Sequence, residues 1–191
     1  MNKPLYLFVG KSASGKTTVA NVLEKSNKYT QLQSYTTRPP RYHEEIGHTF
    51  ISDEEFDGLE NIVAYTEYNG YRYGATANQV DDVDIYVIDV PGVETLLARY
   101  QTVRPIVVLY FDTSVRTRID RMIERHDSDM AIVSRLYTDE EYDWERKLHK
   151  IVWNYKNNEG KNVEMNIIDA NQELVGVMAQ VTDCIKNAME D

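Results

Sequence analysis

The chain has one cysteine, Cys184, so no internal disulfide can staple it. A lone cysteine within a helical pattern suits a small core residue in a reducing compartment. No apolar run approaches the ~20 residues that a membrane-crossing helix needs. The first residues, Met1-Asn2-Lys3-Pro4, run directly into an apolar strand pattern with no signal-peptide stretch before it, so the expectation is a cytoplasmic protein. Internal repeats, low-complexity segments and long linkers are also missing. Basic residues are scarce: 21 Lys and Arg stand against 31 Asp and Glu, a net charge of −10. That balance argues against general binding to nucleic acid or to an anionic membrane, both of which need a basic surface. A small anion is not excluded, because it senses only the charge lining its own pocket. At 191 residues the chain suits one domain with a sizeable core.

Against these absences one stretch stands out. Gly10-Lys11-Ser12-Ala13-Ser14-Gly15-Lys16-Thr17 follows the apolar run Leu5-Tyr6-Leu7-Phe8-Val9 and precedes a helical pattern that starts at Thr18-Val19-Ala20. This is the G-x-x-x-x-G-K-[ST] phosphate loop in its strand–loop–helix setting. The glycines let the backbone curl so that consecutive N–H groups converge on one anion, and the helix adds its positive end. Gly10, Ser12, Ala13, Ser14, Gly15, Lys16, Thr17 and Thr18 are therefore the expected binders of a nucleoside triphosphate. Lys16 reaches the β- and γ-phosphates, and the Thr17 hydroxyl is a ligand for Mg²⁺.

Apolar runs at 5–9, 31–35, 85–88, 106–111 and 164–168 read as buried strands, the second of them weakly. Helical patterns at 16–26, 92–100, 114–125, 129–153 and 172–188 alternate with them. The pattern predicts an α/β fold: a three-layer core around a mostly parallel sheet, with ligand at the carboxyl ends of the strands. Two segments interrupt it. Residues 34–77 hold short alternating runs and an Asn69-Gly70 hairpin signal, which predicts a small β-rich insertion. Residues 116–146 carry Arg116, Arg118, Arg121, Arg125, Arg135 and Arg146, and are open to two readings: a solvated helical face or a lid closing over phosphates. The core is then 1–33, 78–115 and 147–191.

The insertion begins Ser34-Tyr35-Thr36-Thr37-Arg38-Pro39-Pro40-Arg41 and continues through Glu44 to Gly47. This resembles the guanylate kinase signature S-x-T-T-R-P-P-R-x-x-E-x-x-G. The likeness continues at Phe50-Ile51-Ser52 with Glu54-Glu55-Phe56, at Glu67-Tyr68-Asn69-Gly70 with Tyr73-Gly74, at Ile88-Asp89-Val90, and from Arg125 to Leu136. The resemblance implies a phosphate-loop core, a domain binding the nucleoside monophosphate and a lid. It also implies transfer of the γ-phosphoryl of ATP to GMP or dGMP with Mg²⁺. By position, Ser34, Arg38, Arg41 and Tyr73 would hold the acceptor phosphate, and Glu67 and Asp89 would accept from guanine N1–H and its amino group. Arg125 and Arg135 would be lid arginines near the transferred group, assisted by Arg121. Residue chemistry agrees in part: Arg38 and Arg41, beside hydroxyls, make a fork for a phosphate dianion. Asp89, at a strand end, suits Mg²⁺ through water as well as a base.

Several positions depart from the family pattern. His48 stands where a tyrosine is expected, and reads equally as a phosphate donor or a surface residue. The hydroxyl expected near guanine O6 is missing at Ala75, Thr76 replacing it only if the backbone shifts. Val87 stands where the family has an acid, and Pro91 replaces a glutamine. These changes leave the phosphate grip and weaken the case for guanine. The alternatives are a kinase of the same fold with another acceptor, such as another nucleoside monophosphate or ribose 1,5-bisphosphate, and a silent module that binds a protein.

Overall fold

The computed structural model describes residues 3–40, 43, 45–140 and 143–190. The chain runs β1 (Leu5–Val9), α1 (Lys16–Lys25), β2 (Ser34–Thr36), β3 (His48–Phe50), α2 (Asp53–Asp57), β4 (Ile62–Tyr68), β5 (Tyr71–Thr76), α3 (Ala77–Asp81), β6 (Ile85–Val87) and α4 (Val90–Arg99). It continues β7 (Ile106–Asp112), α5 (Val115–Glu124), α6 (Asp129–Glu140), α7 (Trp144–Asn157), β8 (Val163–Asp169) and α8 (Leu174–Glu190).

Every residue of β1 is buried, which requires cover on both faces. Strand alternation divides the cover in two. Leu5, Leu7 and Val9, with Ile106, Val108 and Tyr110 of β7, pack against Val93, Leu96 and Leu97 of α4 and Leu148 and Ile151 of α7. Tyr6 and Phe8, with Val107, Leu109 and Phe111, face Val19, Ala20 and Leu23 of α1 and Val177, Val181 and Ile185 of α8. Each such side chain contributes about 1.5–3 kcal/mol when fully buried. The sheet between the two layers has the order β6-β1-β7-β8 and is parallel throughout. The carboxyl ends of β1, β6 and β7 thus open on one edge, with the phosphate loop and Asp89.

A second sheet, β3-β2-β5-β4, is mixed: β2 pairs in parallel with β3, and β5 antiparallel with both β2 and β4. Asn69 and Gly70 turn β4 into β5 with φ of 52° and 76°, the left-handed pair that a two-residue hairpin requires. Three sequence expectations need correction. The run 31–35 adds no full strand to the parallel sheet: Gln31 makes a single bridge to Ile85, and the chain then leaves to form β2. The helical pattern 129–153 is two helices, because Asp143 caps α7 through its side chain to the Arg146 amide. The short helices α2 and α3 were not anticipated, although each starts with a capping box, Ser52 with Glu55 and Thr76 with Gln79. Among the described residues no helix is long and apolar enough to cross a membrane.

Candidate active site

The phosphate loop is shaped by backbone that only certain residues accept. Gly10 has φ +154°, and a Cβ there would lie 2.8 Å from the Phe111 carbonyl oxygen. Gly15 has φ +97° and occupies the N-cap of α1 with no side-chain cap, so the first amides of that helix face the loop unclaimed by a side chain. No acidic residue lies in the first turn to compete for the positive helix end. Inside the loop, Lys16 Nζ donates to Gly10 O (2.7 Å), Lys11 O (2.9 Å) and Ser14 Oγ (3.1 Å). Burial lowers the Lys16 pKa to about 8, opposed by Asp139 and Asp89 and aided by Arg118 and Arg125.

The loop is the wall between two cavities, and Lys16 lines both. One, of 660 Å³, is bounded by Gly15, Thr17, Thr18, Arg121, Arg125 and Asn171. The other, of 210 Å³, is bounded by Ser34, His48, Tyr73, Val87, Asp89 and Trp144. Ala13 and Ser14 lie on the first side, Gly10 and Ser12 on the second. Arg121 is fixed against the loop: Nη1 donates to Ser14 O (3.2 Å) and Nη2 to Ala170 O (2.8 Å). The donor set fits a hard cation that arrives on phosphate oxygens, with one exposed hydroxyl at Thr17 and one carboxylate at Asp89. Among the described residues no three His, Cys, Asp or Glu side chains cluster to hold a metal by themselves.

Asp89 performs two tasks. Its Oδ1 accepts from the Gly92 amide (2.8 Å) and caps α4, yet the residue also lines the smaller cavity. Burial pushes its pKa up, against the stabilising Gly92 amide, the Thr66 hydroxyl and Lys16. Ser34 Oγ lies 2.9 Å from His48 Nδ1, and the Tyr73 ring meets His48 edge-on at 5.6 Å, so these three expected residues are brought together. His48 is half-buried rather than a surface residue. Val87 gives the cavity an apolar wall, Ala75 is fully buried, and the Thr76 hydroxyl is engaged at the start of α3.

Other expected residues have protein partners of their own, although Arg38 also lies against Tyr73. Arg38 is 8% exposed and makes a two-pronged pair with Glu45, at 3.1 and 2.9 Å, with a further bond to Pro39 O (2.8 Å). Arg125 donates twice to Asp127, at 2.9 and 2.5 Å, and Arg135 lies 3.8 Å from the same carboxylate. Glu67 is exposed and accepts from the Tyr65 hydroxyl. Strand alternation puts both on the face of β4 that carries Phe56, whose ring is 6.1 Å from Tyr65, while Thr66 and Tyr68 take the other face. Glu67 borders an adjoining cavity of 290 Å³, which shares Thr66, Tyr68, Asp89 and Trp144 with the one that holds Ser34, His48 and Tyr73. Arg41 lies outside the described residues.

Sequence reasoning missed Thr66, Tyr68, Trp144, Arg118 and Asp139. Trp144 lines both acceptor-side cavities, and its Nε1 is buried with no hydrogen-bond partner among the described residues. Arg118 and Asp139 pair in the interior and bond the Ser12 backbone. Only the arginine-rich run hinted at either, and a run cannot say which member turns inward. Asn171, just after β8, lines the larger cavity beside Gln172.

No protein-family model matches the chain. The guanylate kinase of Fusobacterium nucleatum is 24% identical over 179 residues, covering 86% of this chain and 95% of that protein. That of Lawsonia intracellularis is 33% identical over 125 residues, 56% of this chain and 58% of that protein. A Polaromonas guanylate kinase is 32% identical over 84 residues, and the match spans only 41% of its length. Among solved structures, the guanylate kinase from Anaplasma phagocytophilum superposes with a TM-score of 0.54 at 15% identity, over 98% of this chain and 87% of that one. In sequence and in fold, the chain is similar to guanylate kinases.

Proposed function

We propose that the protein transfers the γ-phosphoryl group of ATP to a nucleoside monophosphate, with GMP or dGMP as the leading acceptors. The observation that carries this reading is the position of Lys16 on the wall between two cavities. A triphosphate in the larger and a monophosphate in the smaller would meet across one ammonium group. The acceptor is itself a phosphate, so its oxygen can attack without a general base, and catalysis rests on positioning and charge neutralisation. The bond from the γ-phosphorus to its β-bridging oxygen breaks as that from phosphorus to the acceptor oxygen forms.

In this reading Lys16 and the amides opening α1 hold the donor phosphates, aided by Arg121. Ser34, His48, Tyr73, Arg38 and Arg41 form the acceptor phosphate grip. Arg125 and Arg135 exchange their bond to Asp127 for the transferred group. Thr17, and Asp89 through water, are the candidate protein contacts of Mg²⁺, which neutralises triphosphate charge when bound. Asp89, the Thr66 hydroxyl and Trp144 Nε1 are the polar groups offered to the acceptor base.

The second reading, a kinase of this fold with a different acceptor, is favoured by Val87, Ala75 and the outward Glu67, which take an acid, a hydroxyl and a carboxylate from the groups expected to read guanine. A coupled assay of ADP release separates the two. With Mg-ATP, turnover on GMP or dGMP well above AMP, CMP, UMP, dTMP and ribose 1,5-bisphosphate is expected. Preference for another acceptor would select the second reading. No turnover on any acceptor, with ATP still bound, would leave a nucleotide-binding module without transfer.

A further inference from the structure

Arg118 of α5 and Asp139 of α6 form an ion pair with side chains 0% and 1% exposed, Nη2 lying 2.5 Å from Oδ2. Such a pair is poor glue, since desolvating two charges offsets most of their attraction and well-packed apolar residues often serve better. These two side chains do something apolar ones cannot, because both bond one residue of the phosphate loop. The Ser12 amide donates to Asp139 Oδ2 (2.9 Å), and Arg118 Nε donates to the Ser12 carbonyl (2.9 Å).

Ser12 sits in the most strained part of the loop. It directly precedes Ala13, a residue with a Cβ, at φ +60°, and lies two positions after Gly10 at φ +154°. Backbone of that kind persists only when its surroundings over-determine it. The bonds come from two helices that enter the fold more than 100 residues later in the chain, so the loop's shape depends on how α5 and α6 are seated. Arg121, one turn beyond Arg118 on α5, holds the next carbonyls of the same loop.

We infer that Arg118 and Asp139 are positioning residues: clamping Ser12 from both sides, they hold the phosphate loop in the shape that binds the donor nucleotide, and so couple the seating of α6 to ATP affinity. The inference rests on the nucleotide reading of the loop. It predicts that removing the pair's polarity without removing its volume weakens ATP binding while sparing the fold.

The test compares the intact wild-type chain with Arg118→Met/Asp139→Leu, Asp139→Asn and the surface control Arg116→Ala. The readouts are Mg-ATP titration calorimetry, thermal melting and amide hydrogen exchange of the ligand-free protein. Expected are a melting temperature at or above wild type for the double variant, a Kd for ATP raised about tenfold or more, and faster exchange across residues 10–17. Asp139→Asn, which keeps an acceptor for the Ser12 amide, should fall between the double variant and wild type. A double variant that is folded and binds ATP with wild-type affinity and loop exchange would overturn the inference, leaving the pair a packing element. If the double variant does not fold, wild-type affinity and loop exchange in Asp139→Asn would overturn it equally. Wild-type protein that does not bind ATP would instead refute the nucleotide reading, and the ligand-free exchange data would still show whether the pair holds the loop.

Discussion

The two cavities that meet at Lys16 are built by different means. The larger takes its phosphate end from backbone: a glycine-shaped loop, the uncapped start of α1 and an arginine bonded to carbonyls. That end is shaped before any ligand arrives. The smaller is made of side chains from strands β2 and β3, three residues each, and from β4, β5 and the end of β6. The arginines expected to meet the acceptor and the transferred phosphoryl are already engaged, Arg38 by Glu45 and, on the larger cavity's side, Arg125 with Arg135 by Asp127. A site made of backbone is preorganised. A site made of paired side chains must exchange one partner for another when substrate enters, and each exchange is a point where specificity can change.

The sharpest way to break this contrast is at the shared wall. Lys16→Ala should reduce transfer by about 10²–10³-fold or more, as for loss of a group aimed at developing charge. Melting temperature should change little, because among the described residues the Lys16 amine bonds only loop carbonyls and Ser14. Full activity in that variant would refute the transfer mechanism.

The next test asks whether Arg38 must leave Glu45. Replacing Arg38 alone would strand a buried carboxylate, so the informative variant is Arg38→Met with Glu45→Gln, which removes both charges. It should raise KM for the acceptor by about 10–100-fold, the worth of a charge-assisted bidentate contact, and leave KM for ATP near wild type. An effect confined to ATP would put Arg38 on the wrong side of the wall.

The preformed side also predicts a pH dependence. Burial lowers the Lys16 pKa to about 8 in the ligand-free protein. The protonated amine binds phosphate, so kcat/KM for ATP should be flat below pH 8 and fall up to about tenfold per unit above it. Stability moves the other way. A lysine whose pKa is depressed on folding binds fewer protons folded than unfolded, so its contribution to stability rises from about pH 8 toward its ordinary value. A profile flat to pH 10 would mean the amine stays charged.

The same division explains what could be read from sequence. The phosphate loop, the parallel sheet and the hairpin at Asn69-Gly70 are local: each needs residue types at fixed short spacing, and the structure has all three. The run at 31–35 misled because apolar content cannot say which of two sheets a short strand joins. The end of α6 was hidden because helical periodicity continues across 129–153, and only the Asp143 cap restarts it. Arg118 and Asp139 are 21 positions apart, and nothing in a charge-rich run marks the two members that turn inward. Trp144, the first residue of α7, enters the acceptor side through tertiary packing alone.

Glu67 marks the limit of such reading, because strand alternation reverses a side chain with a shift of one residue. It lies near a hairpin turn and tyrosines that resemble a family motif, but on the face of β4 opposite Thr66 and Tyr68. Its carboxylate is exposed and held by the Tyr65 hydroxyl. If the side chains keep this register when substrate binds, Glu67→Ala should change kcat/KM for every acceptor by less than about twofold, the usual scale for an exposed polar contact. Asp89→Asn should alter the ranking of acceptors measured in parallel. A tenfold or larger loss confined to GMP and dGMP in Glu67→Ala would show that closure brings this carboxylate to the base. The acceptor side would then be remade on binding to a greater depth than a change of arginine partners.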